Sequence, residues 1–155
     1  MHKYWKLGAA VVGCELVGIL GTPFTIAAIP SWYAYLNKPP FSPPNWIFGP
    51  VWTLLYFLMG VALWIVLISK KSDVRDRGIR LFAVQLVLNF LWSVIFFGMR
   101  QPLAALVDIA LLWAAILATI LTFRKVSSVS AYLLIPYLIW VSFASILNFA
   151  IVLLN

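Results

Sequence analysis

One cysteine, one histidine and four acidic residues are all that this 155-residue sequence has of those types, and each shortage closes off a class of chemistry. A single thiol, Cys14, makes no intramolecular disulfide, and with His2 as its only histidine companion it offers no zinc or haem-ligand spacing. Metal is therefore not expected. No Ser-His-Asp or Cys-His set can be assembled around a histidine at position 2, which argues against conventional nucleophilic catalysis. Glycine-rich phosphate loops are missing as well. Charged residues make up 10% of the chain against 65% hydrophobic ones, too little polar surface for a water-soluble domain of this size. A mean hydropathy of +1.04 agrees. The solvent that suits this composition is a bilayer.

What the chain does have is length in its apolar runs. They fall at roughly 7–29, 46–69, 81–99, 103–123 and 130–153, each about 20 residues and so long enough to cross about 30 Å of hydrocarbon. The runs lack the alternation of a barrel wall. The expected fold is an all-α integral membrane protein, a single domain over 1–155 built as a bundle of five transmembrane helices. The first run has no small-x-small cleavage pattern and leads into further spans, so it is kept as a helix and not read as a signal peptide. An odd number of spans without visible repeats argues against an inverted-repeat transporter.

The net charge of +7 reports topology. With five crossings, Lys3, Lys6, Lys70, Lys71, Arg75, Arg77, Arg80, Arg124 and Lys125 share one side, in the N-terminus and the 70–80 and 124–129 loops. Only Lys38 and Arg100 lie on the other. This asymmetry predicts a cytoplasmic N-terminus and an outside loop 30–45, as in a bacterial cytoplasmic membrane. The bases form short clusters and no dense patch, so nucleic acid is not an expected partner. The lipid bilayer is.

Loop 30–45 begins at Pro30 and holds four further prolines in the Pro39-Pro40 and Pro43-Pro44 pairs, with the aromatics Trp32, Tyr33, Tyr35 and Phe41. Proline fixes φ and extends the preceding residue, which predicts a semi-rigid lid over the bundle. An interfacial aromatic belt is the alternative. Within the spans the polar groups are few: Glu15, Gln85, Asn89, Asp108 and Asn148. Helical spacing aligns Gln85, Asn89, Trp92 and Phe96 on the third helix, Tyr137, Val141, Ala144 and Asn148 with Trp140 on the fifth, and Trp52, Tyr56, Met59 and Leu63 on the second. Most of this polarity falls toward the lid side, with Asp108 roughly 9 Å into the fourth helix. These faces predict an aromatic-lined cavity in the outer half, suited to a flat hydrophobic ligand with polar edges. Two alternatives stay open. The amides can bond only neighbouring helices, and Asp108 can serve its helix dipole or pair with Arg100. Glu15 is deep, without a basic partner in any helix, and so expected protonated or hydrogen-bonded. Ala110, Ala114 and Ala118 form a close-packing row, within the bundle or between subunits.

Trp32-Tyr33, Leu36, Lys38-Pro39-Pro40-Phe41, Pro43-Pro44, Pro50-Val51-Trp52, Leu55-Tyr56 and Met59-Gly60 resemble the signature of the translocator protein family, the tryptophan-rich sensory proteins once called peripheral-type benzodiazepine receptors. Gln85-Leu86, Leu88-Asn89, Trp92 and Phe96-Phe97-Gly98 extend the likeness, as do Ala105 to Asp108, Pro136-Tyr137-Leu138, Trp140, Ala144 and Leu147-Asn148. The resemblance implies a five-helix membrane protein, commonly a homodimer, that binds porphyrins such as protoporphyrin IX and haem. Mitochondrial relatives bind cholesterol and benzodiazepine-type or isoquinoline drugs. Carried over position by position, Tyr33, Tyr56, Asn89, Trp92 and Ala144 match ligand-pocket positions. Trp52 and Trp140 match the two tryptophans linked to porphyrin breakdown. With Phe96, Asp108 and Asn148 from the helix faces they complete the expected ligand-binding set.

Two departures qualify the likeness. The stretch from Asn148-Phe149 to Asn155 lacks the base that a cholesterol-recognition pattern needs, which favours a bacterial, porphyrin-oriented member. Phe41 stands where relatives often carry tryptophan. The expected function is a receptor or carrier of porphyrins for tetrapyrrole transport or stress sensing, with no cofactor required and porphyrin as ligand or substrate. A light-dependent porphyrin-degrading enzyme using Trp52 and Trp140, and a membrane scaffold, are the competing readings.

Overall fold

The computed structural model describes residues 2–155. Its elements are α1 (His2–Ser31), a 3-10 turn (Tyr33–Tyr35), a second 3-10 turn (Asn45–Ile47), α2 (Phe48–Leu67), α3 (Asp73–Ser93) continued by a π-helical turn (Val94–Gly98), α4 (Pro102–Arg124), α5 (Ser128–Leu133) and α6 (Ile135–Leu154). Among the described residues five helical stretches are long and apolar enough to cross a membrane, and none forms a strand. Their outward faces carry Leu20, Ile26, Leu54, Val87, Val107, Leu111, Ile139 and Ile146, all exposed on the bundle. Lipid tails accept such a surface at no cost.

The first, third and fifth spans depart from their expected form. Helix α1 begins by His2, ahead of residue 7. The 70–80 loop is shorter than expected, because α3 starts at Asp73 and takes Arg75, Arg77 and Arg80 into its first turns. Ser72 caps that start, its hydroxyl accepting from the Arg75 amide, and Asp73 and Asp76 sit at the positive end of the helix dipole. Arg75 then closes the preceding helix, donating to the carbonyls of Val66 at 3.1 Å and Leu67 at 2.8 Å. The fifth span is two helices, α5 and α6, that meet at Leu134, with Pro136 in the first turn of α6, where its missing N–H costs least.

The spans close into a ring: α1 packs on α2, α2 on α5, the α5–α6 span on α4, α4 on α3, and α3 back on α1. Glycine makes the first contact close. A Cβ on Gly60 would stand 2.5 Å from the Val11 Cα, and one on Gly18 2.5 Å from a ring carbon of Tyr56. Two apolar clusters fill the interior. The larger holds Leu55, Met59, Phe82, Leu112, Ile116, Phe123, Tyr137 and Val141. The smaller, at the loop end, is built on Ala28, Tyr33, Phe96, Phe97, Leu147 and Ile151. Ala110 and Ala114 face outward, so their row does not pack within the bundle.

Candidate functional site

A cavity of about 330 Å³ lies between α1, α2, the end of α3 and α6, under the loop that joins α1 to α2. That volume falls in the range of small-molecule sites. Its wall is aromatic: Tyr33, Phe48, Trp52, Tyr56, Trp92, Phe96, Phe97, Trp140 and Phe143 all line it. The rings brace one another. Trp92 stacks on Phe96 with centroids 5.0 Å apart, Trp52 meets Trp140 edge-on at 6.5 Å, and Phe48 meets Trp140 at 6.1 Å. Along α1 the wall runs from Glu15 to Ile29, about 21 Å at 1.5 Å per residue. Ile19, Thr22 and Ile26 on α1, with Gly49 and Thr53 on α2, are both lining and exposed, so the cavity opens sideways between these two helices.

Beneath the wall a chain of buried hydrogen bonds fixes the aromatic positions. Tyr56 donates its phenol to Asn89 Oδ1 at 2.6 Å, Asn89 Nδ2 donates to the Tyr137 hydroxyl at 2.7 Å, and that hydroxyl donates to Gln85 Oε1 at 2.7 Å. Helices α2, α3 and α6 are thereby joined through one amide. Nearer the loop, Trp92 Nε1 donates to Asn148 Oδ1 at 3.0 Å and Asn148 Nδ2 to the Pro102 carbonyl at 2.9 Å, joining α3, α6 and α4. Two buried donors on the wall, the Tyr33 hydroxyl and Trp140 Nε1, have no partner among the described residues. Burial pushes the Tyr33 phenol above its ordinary value, so it remains a donor at neutral pH. Buried donors left unpaired are costly, and a ligand acceptor would relieve both.

The loop is held down. Lys38 folds back over the Tyr33 ring at 4.8 Å and donates to the Tyr33 carbonyl at 2.8 Å. The Asn37 amide donates to Asn155 Oδ1 at 3.1 Å, and Asn155 Nδ2 to the Asn37 carbonyl at 2.9 Å, which ties the loop to the end of α6. Phe41 reaches Phe143 with ring centroids 6.2 Å apart. Tyr35, by contrast, points away and is exposed.

This combination of five spans, a Pro-rich tethered loop and a tryptophan-lined cavity coincides with a sequence match over nearly the whole chain. Residues 10–154 fit the sequence profile of the TspO/MBR family. The chain belongs to that family. It is 52% identical over 158 residues to the tryptophan-rich protein TspO of Chlorobaculum tepidum, covering 100% of this chain and 99% of the relative. The tryptophan-rich protein TspO of Archaeoglobus fulgidus is 48% identical over 151 residues, 97% of each. The translocator protein of Ovis aries is 41% identical over 147 residues, covering 89% of this chain and 85% of the relative. Family and span pattern together make it an integral membrane protein of the TspO type.

Of the ten residues expected at the site of this TspO/MBR chain, Tyr33, Trp52, Tyr56, Trp92, Phe96, Trp140, Ala144 and Asn148 line one cavity. Asn89 stands behind the wall, spent on Tyr56 and Tyr137. Asp108 stands on α4, whose described residues contribute nothing to the lining. The pairing of Asp108 with Arg100 does not occur: Arg100 donates to Ser31 Oγ at 3.2 Å, and one Asp108 carboxylate oxygen is buried without a partner. Asp108 is also the seventh residue of α4, past the first turn where the dipole acts. Sequence reasoning missed Phe48, Phe97 and Phe143 on the wall and the Asn37–Asn155 tether. A periodicity argument confined to three stripes could find the residues on those stripes but not Phe48 at the start of α2, Phe97 in the π-helical turn or Phe143 beside the α6 stripe.

Proposed function

We propose that the chain is a membrane receptor or carrier that binds porphyrins such as protoporphyrin IX or haem in the α1–α2–α3–α6 cavity, for tetrapyrrole transport or stress sensing. The observation that carries this reading is the aromatic wall with two unpaired buried donors, Tyr33 OH and Trp140 Nε1. A flat macrocycle stacks on the rings, and its peripheral acceptors meet the donors. No other cofactor is required. Sterols and benzodiazepine-type or isoquinoline drugs are weaker candidates, given the C-terminal stretch without a base. The translocation frame is a cytoplasmic N-terminus with loop 30–45 outside, by the positive-inside asymmetry. In the row Ala110, Ala114 and Ala118 on α4, the first two are exposed and the third half-buried, and its small residues offer a homodimer contact.

The test is a dark titration of the purified protein with protoporphyrin IX, followed by tryptophan fluorescence. Saturable quenching, weakened by about tenfold in Trp140→Phe for the lost N–H bond, is expected. Non-saturable quenching equal to that of protein-free micelles overturns the reading. A second reading, light-dependent porphyrin degradation, is favoured by the edge contact of Trp52 with Trp140 on the same wall. Under illumination in air, porphyrin absorbance then decays with the wild-type protein and persists with Trp52→Phe or Trp140→Phe at saturating ligand. Equal decay in all three removes that reading.

A further inference from the structure

We propose that Glu15 makes the inner end of the cavity a receptor for a protonated amine, so that the site takes flat hydrophobic ammonium ligands with the nitrogen pointing inward. The inference uses the cavity described above and does not depend on porphyrin as its occupant.

Glu15 is the innermost lining residue of α1 and the only carboxyl on the wall; Trp52 and Tyr56 of α2 line the same cavity. Among the described residues it makes no side-chain hydrogen bond and no ion pair; the single salt bridge is Arg75–Asp76. Four hydroxyls of the same wall do not serve it, because each donates elsewhere. Thr22 donates to the Gly18 carbonyl at 2.9 Å, Thr25 to Gly21, Thr53 to Gly49 at 2.8 Å, and Tyr56 to Asn89. The wall carries no lysine, arginine or histidine. Half-buried on the wall, the carboxyl has no hydrogen-bond donor among the described residues, and when ionised it is open to one from a ligand.

The depth of Glu15 decides what can supply it. Glu15 stands near the middle of the 30-residue helix α1, about 20 Å along the axis from either end. Lipid headgroups stay at the interfaces and do not reach it. A carboxylate in hydrocarbon is expensive unless neutralised, and a ligand ammonium neutralises it through charge-assisted hydrogen bonds. Tyr56, whose ring abuts α1 at Gly18, one turn from Glu15, brings an aromatic ring near the same charge. An anionic group at that end would meet repulsion from Glu15. At the loop end the polarity differs, since Tyr33 OH and Trp140 Nε1 are both unpartnered donors and no carboxylate stands beside them on the wall. An amine ligand with a carbonyl at its far end is therefore held in one orientation, nitrogen toward Glu15 and oxygen toward the loop.

The experiment compares two probes of equal shape, 1-pyrenemethylamine and 1-pyrenemethanol, on the full chain in phosphatidylcholine nanodiscs at pH 7. Energy transfer from tryptophan is read against empty discs. The amine is expected to bind roughly tenfold or more tightly than the alcohol. In Glu15→Gln the ratio falls severalfold, to what the aromatic rings alone supply, and in Glu15→Asp it survives in larger part. Equal affinities in the wild type, an unchanged ratio in Glu15→Gln, or no saturable amine binding overturns the proposal. Protoporphyrin titrated into the same discs separates the two ideas. If porphyrin fails to bind and the amine preference holds, the porphyrin reading falls and this one stands.

Discussion

Asn89 is the residue on which most of the polar interior converges. It accepts from Tyr56 and donates to Tyr137, so its loss strands the Tyr56 phenol and leaves the Tyr137 hydroxyl with Gln85 alone. Hydrogen bonds between membrane helices average about 0.6 kcal/mol and reach about 1.7. Asn89→Leu should therefore lower stability by about 1 to 3 kcal/mol, measured by titrating sodium dodecyl sulfate into detergent-solubilised protein and following helicity. Combined with Tyr56→Phe in a double-mutant cycle, the two changes should be less than additive, because they remove the same bond. Full additivity would show that the Tyr56–Asn89 bond contributes nothing. The same residue illustrates how much of the site was legible. Its helical register with Trp92 and Phe96 put it on the correct face, yet whether it met a ligand or another helix depended on partners 33 and 48 positions away.

Helices α1 and α2 meet on glycine, and that contact frames the side of the cavity that opens outward. Replacing Gly60 by alanine sets a methyl against the Val11 backbone, which cannot give way as a flexible side chain would. A loss of about 1 to 3 kcal/mol is expected from such overpacking. Gly13→Ala is the matched control, since a Cβ there meets nothing within 4 Å and the change raises helix propensity. Thermal melts of the two variants should move in opposite directions. The loop offers a second test at this scale. Asn155→Ala removes both bonds between that side chain and the Asn37 backbone. If the loop covers the proposed porphyrin site, dissociation measured by stopped-flow should quicken severalfold while the melting temperature stays within a degree or two. An unchanged off-rate would mean that the ligand leaves by the gap between α1 and α2.

Across the whole molecule the distribution of bases predicts one orientation, with the α2–α3 turn inside and the α1–α2 loop outside. Cys14 is buried and can be replaced by alanine to clear the background. Single cysteines at Lys71 and Tyr35, both exposed, then report the two faces. In intact cells a membrane-impermeant maleimide should label Tyr35→Cys and spare Lys71→Cys until the membrane is opened. The reverse pattern would invert the proposed topology. Both labelled would indicate dual insertion.

What the sequence determined by itself was the class of solvent, the number of spans and, for the second, third and fifth, a face that turns inward, because apolar length and helical period are local properties of a chain. The Lys38-Pro39-Pro40-Phe41 and Pro50-Val51-Trp52 motifs carried the family for the same reason. Boundaries depended on caps that local reading underweighted: Ser72 extended α3 backward into a stretch that charge alone marked as loop. Only the tertiary structure decided which polar groups are spent and which are left over. Asn89 and Asn148 are consumed by other helices, Asp108 stands away from the cavity, and Glu15, Tyr33 and Trp140 remain on its wall without partners. Hydrogen-bond satisfaction is a property of groups brought together from distant parts of the chain, and spacing along one helix does not contain it.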